Sequence, residues 1–369
     1  MKVAILGSRG VPARYGGFET LAEELGRRLA ERGDEVTVYG RSGWVEPSLS
    51  EYRGMRIVVL PAPRRKHLET VVSTFLAACH AAMSGFDAVL MLNAANAPWI
   101  RILQLAGIPV AINVDGLERK RRKWGFAGRA YYRLCERLAA SMADVLVTDA
   151  RVIERYYRRA YHLPSRMIPY GGDLESPAHH DLLHRMGLTP GEYVLYVSRF
   201  EPENNPDRVA AAYAKTGGSR KLVMVGDAPY ASRLMLRVQQ LADRRVILPG
   251  AVYGTDYRQL VFNCRLYIHA TEVGGTHPAL VEAMGAGRPV LYLDTPENRE
   301  VAGGAGLPFS FDRGLRLEEV LETVLDDPAL LASLGARAKE RVQSRYRWED
   351  VALAYHEVLE ALCSKNGPS

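Results

Sequence analysis

A chain of 369 residues exceeds what one hydrophobic core usually organises, so two domains are the default expectation. Its composition is ordinary for a soluble globular protein, and its longest apolar runs, residues 75–83 and 88–92, fall short of the ~18 residues of a spanning helix, which excludes a transmembrane segment. The net charge of +6 is uneven: residues 1–172 carry 26 Lys+Arg against 16 Asp+Glu and residues 173–369 carry 22 against 26, so only the first half is expected to face a polyanion.

The opening MKVAILGSRG reads as a short strand and lacks the apolar core and cleavage site of a signal peptide, so the chain is expected to be cytoplasmic. Residues 2–6 and 35–39 are apolar strand-like runs. Between them residues 19–32 place Leu21, Leu25 and Leu29 at helical spacing, which makes a βαβ unit. Further strands are expected at 56–60, 88–92, 109–114 and 145–148 with helical stretches between them, a doubly wound α/β pattern. A polar, Gly- and Pro-rich junction at 168–180 (IPYGGDLESPAHH) then precedes a second series. Strands at 193–197, 221–225, 246–248, 266–269 and 290–293 alternate there with helices such as 230–242. The expected architecture is two Rossmann-like α/β domains facing across a cleft. The last segment, 345–362, is amphipathic through Trp348, Val351, Leu353, Tyr355 and Val358, and either straps the domains together or caps the second. No repeat of 20 to 50 residues is visible.

The first βα loop, GSRGVPARYGGFET, holds Gly7, Gly10, Gly16 and Gly17 but not the GxGxxG spacing, and the second strand ends in Arg41 instead of the acid that a dinucleotide site places there. That argues against an oxidoreductase. With Arg9, Arg14 and Tyr15 the loop suits a mobile flap over a diphosphate; turn-forming glycines in a surface loop are the alternative. Asp115, in NVDGLERKRRKW, sits at a strand's C-terminal end as an acceptor base, a sugar-hydroxyl ligand, or a plain turn Asp before Gly116. Five basic residues follow, Arg119, Lys120, Arg121, Arg122 and Lys123, then Trp124, Tyr131 and Tyr132. Basic residues beside aromatics suit an anionic membrane surface or a lipid diphosphate, with a solvated helix face as the alternative; no nucleic-acid motif accompanies them. Arg64, Arg65, Lys66 and His67 extend the same basic character.

In the second half, VSRFEPENNPD puts Arg199 at a strand end, where a guanidinium can chelate phosphate oxygens and stabilise a departing diphosphate; a surface salt bridge is the other reading. YIHATEVGGTHPALVEAMGAGRP joins a strand to a glycine-rich loop and a helix, an arrangement that builds an anion site. Gly274 and Gly275 let backbone N–H groups approach a ligand, His277 touches phosphate or sugar or packs the loop, and Glu282, the only acid on an apolar helix, could hold sugar hydroxyls. The nine histidines form no HExxH and no Asp-x-Asp occurs, so no metal cofactor is expected. His179, His180 and His184 read as exposed helix-start residues, and Cys79, Cys135, Cys264 and Cys363, scattered without a CxxC, as reduced core thiols.

Taken together, these segments resemble the GT-B glycosyltransferases of family 4 over nearly the whole chain. That family's donor signature has glutamates at the positions that Gly274 and Glu282 occupy here. The VGGT form, with GSRGVPARYGGFET, NVDGLERKRRKW and SRFEPENN, is similar to the subgroup of bacterial β-1,4-rhamnosyltransferases of capsule and cell-wall polysaccharide assembly. The resemblance implies an acceptor-binding domain over 1–172, a nucleotide-sugar donor domain over 173–344, and a C-terminal helix and tail over 345–369 that crosses back onto the first. It implies that Glu282 binds the donor ribose, that Gly275, Thr276 and His277 meet the phosphates, and that Arg199 meets the diphosphate. The family's usual lysine is replaced by Asn204, which leaves more charge to Arg199. Gly16 and Gly17 match the GG of the first loop and are expected to bind the donor, while Asp115 matches the DG segment on the acceptor side, where Arg14 and Tyr15 are expected to meet acceptor or membrane. The implied reaction is metal-independent, retaining transfer of a sugar, with dTDP-rhamnose as the first choice, to a lipid-linked saccharide at the inner membrane face. The nucleotide-diphosphate sugar is then a substrate and not a cofactor. A nucleotide-sugar 2-epimerase and an inactive sugar-nucleotide or lipid-binding protein are the competing functions.

Overall fold

A computed structural model of the chain describes residues 1–63, 69–228 and 232–365. The basic residues Arg64 to His67 lie outside the described residues. The chain divides into two compact units, one of residues Met1–Lys120, Trp124–Tyr170 and Trp348–Ser369, the other of Arg121–Lys123 and Gly171–Arg347.

The first unit is built on a sheet of eight strands: β1 (Lys2–Leu6), β2 (Glu35–Arg41), β3 (Glu51–Tyr52), β4 (Met55–Leu60), β5 (Ala88–Leu92), β6 (Val110–Val114), β7 (Val145–Thr148) and β8 (Arg166–Met167). They lie in the order β3-β4-β2-β1-β5-β6-β7-β8 and pair in parallel, except for the β3–β4 hairpin. The central strands are covered on both faces, which is why β1, β5 and β6 are apolar along most of their length and not alternating. The helix Gly17–Glu31 buries Leu21, Leu25 and Leu29, the stripe that its sequence spacing predicts.

The C-terminal helix Trp348–Lys365 belongs to this first unit. It begins at Trp348 and not at residue 345, because the preceding helix Pro328–Arg345 ends there and Tyr346 caps it. Trp348, Val351, Tyr355, Leu359 and Leu362 are buried, whereas Leu353 is 44% exposed. The buried stripe follows the helical period, and Leu353 falls on its outer side. The Asn113 side chain donates to the Tyr355 hydroxyl, Arg28 and Arg32 pair with Glu349, and His356 lies 3.0 Å from Asp34.

The second unit holds six parallel strands: β9 (Tyr193–Val197), β10 (Lys221–Val225), β11 (Val246–Gly250), β12 (Leu266–His269), β13 (Val290–Leu293) and β14 (Leu307–Phe309), in the order β11-β10-β9-β12-β13-β14. Its core gathers Val194, Tyr196, Phe200, Met224, Ile268 and Phe309 among others. The strands not foreseen in sequence, β3, β8 and β14, have two or three residues each, too few to show a period.

Candidate functional site

The strand order points to a candidate site in each unit. In an open parallel sheet, neighbouring strands whose connections leave in opposite directions part at their carboxyl ends and leave a crevice there. In the second sheet that point lies between β9 and β12, which pair directly through Leu266↔Val194, Tyr267↔Leu195 and Ile268↔Tyr196. Two segments leave from it, 198–205 with Arg199 and Asn204, and 270–277 with Gly274, Gly275, Thr276 and His277. The helix Pro278–Gly285 starts directly after the second.

Each segment is braced internally. After β9, the Tyr196 hydroxyl donates to the Asn204 carbonyl at 2.6 Å, and the Asn204 side-chain amide donates to the Arg199 carbonyl at 2.6 Å. Asn204 therefore holds the backbone that carries Arg199. Asn205, in the left-handed region at φ 56°, donates to the Ala270 carbonyl at 2.9 Å and to the Glu272 carboxylate at 3.0 Å, so the segments after β9 and β12 are tied to each other. On the next helix Glu282 is 6% exposed, and its carboxylate accepts a hydrogen bond of 2.6 Å from the Tyr257 hydroxyl.

Gly274 has a steric reason. A Cβ at this position would lie 2.2 Å from His277 Cε1, inside the imidazole ring's van der Waals envelope. The place where the family signature carries an acid is filled here by the His277 ring. That ring stands 4.8 Å, centroid to centroid, from His269 at the end of β12. Burial holds His269 down to about 3, and burial, with His269, Arg121 and Arg199, holds His277 well below its ordinary value.

An ion cluster surrounds the segment after β9. Arg121 and Lys123 group with the second unit, and their partners are there: Arg121 lies 3.4 Å from Glu203 and 3.5 Å from Glu201, Lys123 3.1 Å from Glu201, and Arg122 2.7 Å from Glu272. Arg199 lies 3.9 Å from the same Glu201. Burial opposes ionisation of Glu201, yet Arg199, Lys123 and Arg121 together hold it down to about 2, while burial pushes the wholly enclosed Glu203 up. Residues 119–123 therefore do not share one environment: Arg121 is buried among carboxylates, whereas Lys120 and Arg122 are exposed. Arg119 remains in the first unit, bound to Glu136 at 3.1 Å and to the Tyr156 hydroxyl at 2.8 Å, and Lys120 beside it is exposed. Trp124, just before the helix Phe126–Met142, packs its ring 5.1 Å from that of Tyr132 on the helix, the two planes tilted by 50°.

In the first sheet the strand order parts between β1 and β5. The loop after β1 lies there, packed against the rest of its unit. Gly7, at φ +99°, is needed because a Cβ would meet the Leu92 carbonyl at 2.3 Å. Arg9 packs its guanidinium 3.6 Å from the Tyr15 ring and 4.6 Å from Trp44, and its backbone N–H donates to Glu19 at 2.8 Å. Arg41, which replaces the ribose-binding acid of a dinucleotide site, is 3% exposed and donates to the Gly7 carbonyl at 3.0 Å. Arg14 is exposed, Gly16 caps the helix that begins at Gly17, and Asp115, half-buried, follows β6 one strand further on.

Sequence reasoning passed over Glu201, Glu203, Glu272, Tyr257 and His269. A motif reading could have noticed Glu201 and Glu203 beside Arg199, but their partners at 121 and 123 are about eighty positions away, and no local pattern links them. His179, His180 and His184 are exposed around the helix Asp181–Arg185. Among the described residues no group of three or more His, Cys, Asp or Glu is placed to hold a metal ion, and no helix is long and apolar enough to cross a membrane.

Comparison with known proteins matches residues 16–171 to the glycosyl transferase 4-like domain and residues 188–341 to the glycosyl transferases group 1 domain. The chain is 28% identical over 176 residues to a GDP-mannose-dependent alpha-mannosyltransferase of Mycobacterium tuberculosis, covering 47% of this chain and 43% of that protein. It is 24% identical over 157 residues to the N-acetylgalactosamine-N,N'-diacetylbacillosaminyl-diphospho-undecaprenol 4-alpha-N-acetylgalactosaminyltransferase of Campylobacter jejuni, covering 42% of each. These matches thus span less than half the length of either curated relative. The fold of a sucrose-phosphate synthase from Thermosynechococcus elongatus superposes with a TM-score of 0.82 over 99% of both chains at 21% identity. Two parallel-sheet Rossmann-like units, each matched by its own domain model, make this chain a member of the GT-B glycosyltransferases, with a glycosyl transferase 4-like domain followed by a group 1 domain.

Proposed function

We propose that the chain transfers a glycosyl group from a nucleotide-diphosphate sugar to a hydroxyl of a lipid-linked saccharide, without a metal cofactor. The observation that carries this reading is that Arg199 and the Gly274–His277 loop lie in the segments that leave the two strands flanking the switch point of the second sheet, with helix Pro278–Gly285 starting directly after the loop. Backbone N–H groups of Gly275, Thr276 and His277 take the phosphates, assisted by the partial positive charge of the helix start. Arg199 takes the diphosphate as it leaves, Glu282 the ribose, and Asn204 keeps Arg199 in place. Arg121 and Lys123, which share Glu201 with Arg199, add positive charge where the family's usual lysine is missing. Gly16 and Gly17 serve the donor, and Asp115 the acceptor side.

In a retaining transfer the acceptor oxygen forms the new glycosidic bond on the face from which the diphosphate departs. The bond from anomeric carbon to diphosphate oxygen breaks, and the acceptor proton passes to a diphosphate oxygen. The protein's part is positioning and electrostatic stabilisation. Relatives named for GDP-mannose and for a diphospho-undecaprenol acceptor support the two substrate classes. Within this reading the VGGT loop makes dTDP-rhamnose the first donor to test, with GDP-mannose and UDP sugars beside it.

The membrane partner is an anionic inner leaflet. Helix Phe126–Met142 turns Phe126, Arg129, Arg133, Leu134 and Arg137 outward, and Phe126 is 90% exposed. Cations and apolar side chains on one outward helix face suit lipid headgroups better than the ion-paired residues 121–123 do.

The test is single-turnover transfer with Arg199→Ala. A loss of roughly 100- to 1,000-fold is expected, and unchanged turnover would remove Arg199 from the leaving-group role. Epimer formed from donor alone would favour an epimerase, and tight donor binding without turnover on any lipid acceptor an inactive binding protein.

A further inference from the structure

The end of β12 holds a polar feature that the phosphate and ribose contacts leave unused. His269 is 3% exposed, and neither of its ring nitrogens has a hydrogen-bond partner among the described residues; Nε2 of His277, on the neighbouring ring, has none there either. Three buried nitrogens without such partners lie within one ring-to-ring contact of each other, beside Gly274. A buried polar atom left unsatisfied costs about 1–3 kcal/mol, so such a cluster calls for a partner. The chemistry of that partner is constrained. A neutral imidazole has one N–H donor and one acceptor nitrogen on different edges of the ring, so His269 needs an acceptor at one and a donor at the other, which the several hydroxyls of a sugar ring can supply together. Phosphate oxygens only accept. A sugar hydroxyl does both.

We infer that His269 and His277 form a hydroxyl-binding subsite that reads the sugar ring of the donor, a role that rests on the glycosyl-transfer reading of this site. The structure supports it in three further ways. His269 and Tyr267 share one face of β12, with ring centroids 6.2 Å apart, and that ladder runs toward the loop assigned to the donor phosphates. Gly274 leaves the space that His277 occupies, so close packing against the backbone at 274 helps to fix the ring. Both rings are kept neutral by burial, which preserves the acceptor nitrogen that an imidazolium would lack. The subsite takes the place of the acid that the family signature carries at position 274.

The experiment compares dissociation constants for a nucleoside diphosphate and its sugar, using UDP with UDP-glucose, GDP with GDP-mannose and dTDP with dTDP-rhamnose, on the full chain and on His269→Phe, His269→Gln and His277→Ala. For the pair that binds, His269→Phe should leave the diphosphate within twofold and weaken the sugar nucleotide by about tenfold to a hundredfold. His269→Gln, which keeps a donor and an acceptor, should recover part of the loss. Equal weakening of both ligands, or of neither, overturns the subsite while leaving the donor site standing. A wild-type chain that binds none of the three diphosphates overturns the glycosyl-transfer reading and the subsite with it. Should His269→Phe fail to fold, ¹⁵N-histidine NMR of the wild type decides: ring-nitrogen shifts that move with the sugar nucleotide but not with the diphosphate support the subsite, and shifts that respond to both alike show that water alone serves these atoms and overturn it.

Discussion

At position 274 the residue type is dictated by its neighbour three places on. With only 2.2 Å between a Cβ at this position and His277 Cε1, any side chain must displace the imidazole. Gly274→Ala should therefore lower stability by about 1–3 kcal/mol in urea denaturation, the usual cost of overpacking. Combining it with His277→Ala should recover most of that loss, because the clash and its cause disappear together; additive losses would show that the ring is not the obstacle. Arg199 depends on a different kind of neighbour. Its carbonyl accepts the Asn204 amide, and its guanidinium shares Glu201 with Arg121 and Lys123. Asn204→Ala should lower single-turnover transfer several-fold while leaving the fold intact, a positioning effect that Asn204→Asp, unable to donate, should reproduce. Equal transfer by wild type and Asn204→Ala would count against that role.

Two helices show what their faces do. On Trp348–Lys365 the buried stripe runs through Trp348, Tyr355 and Leu359 while Leu353 looks outward. Trp348→Ala should cost about 3–5 kcal/mol by opening a cavity, whereas Leu353→Asp should stay within about 0.5 kcal/mol of wild type, both read from denaturant midpoints. The sequence reveals that this helix is amphipathic, but neighbouring apolar residues blur the phase of a short helical period, which is why Leu353 reads there as part of the stripe. On Phe126–Met142 the outward face joins Phe126 and Leu134 to Arg129, Arg133 and Arg137. Replacing the three arginines by glutamine should abolish sedimentation with vesicles containing phosphatidylglycerol and leave sedimentation with neutral vesicles unchanged. Retained binding to the anionic vesicles would move the membrane surface elsewhere.

For the molecule as a whole, the buried ionisable groups set how stability responds to acid. His269 has a folded value of about 3 against an ordinary 6.5, so the unfolded chain takes up the proton first. Its contribution is complete above about 6.5 and is lost as pH falls from there toward 3. Glu201, held at about 2 against an ordinary 4.5, contributes above 4.5 and loses that contribution between 4.5 and 2. Urea midpoints should thus decline in two stages on acidification. His269→Phe should flatten the upper stage and Glu201→Gln the lower, and a profile that neither variant alters would refute the assignment. The alternating elements were legible in the chain itself: β1, β5, β9, β10, β12 and β13 are local apolar runs, and the glycine loops and Arg199 follow directly after strands. Periodicity and turn chemistry act over a few residues, and that is the range over which one sequence can be read. By itself, then, the sequence determined the two α/β halves and the segments from which their candidate sites are made. Only the tertiary structure decided the strand order that brings β9 beside β12, the pairing of Arg121 and Lys123 with Glu201 and Glu203, and the meeting of His269 with His277. Coulomb attraction and close packing choose partners by distance in space, and in a folded chain that distance is independent of separation along the sequence.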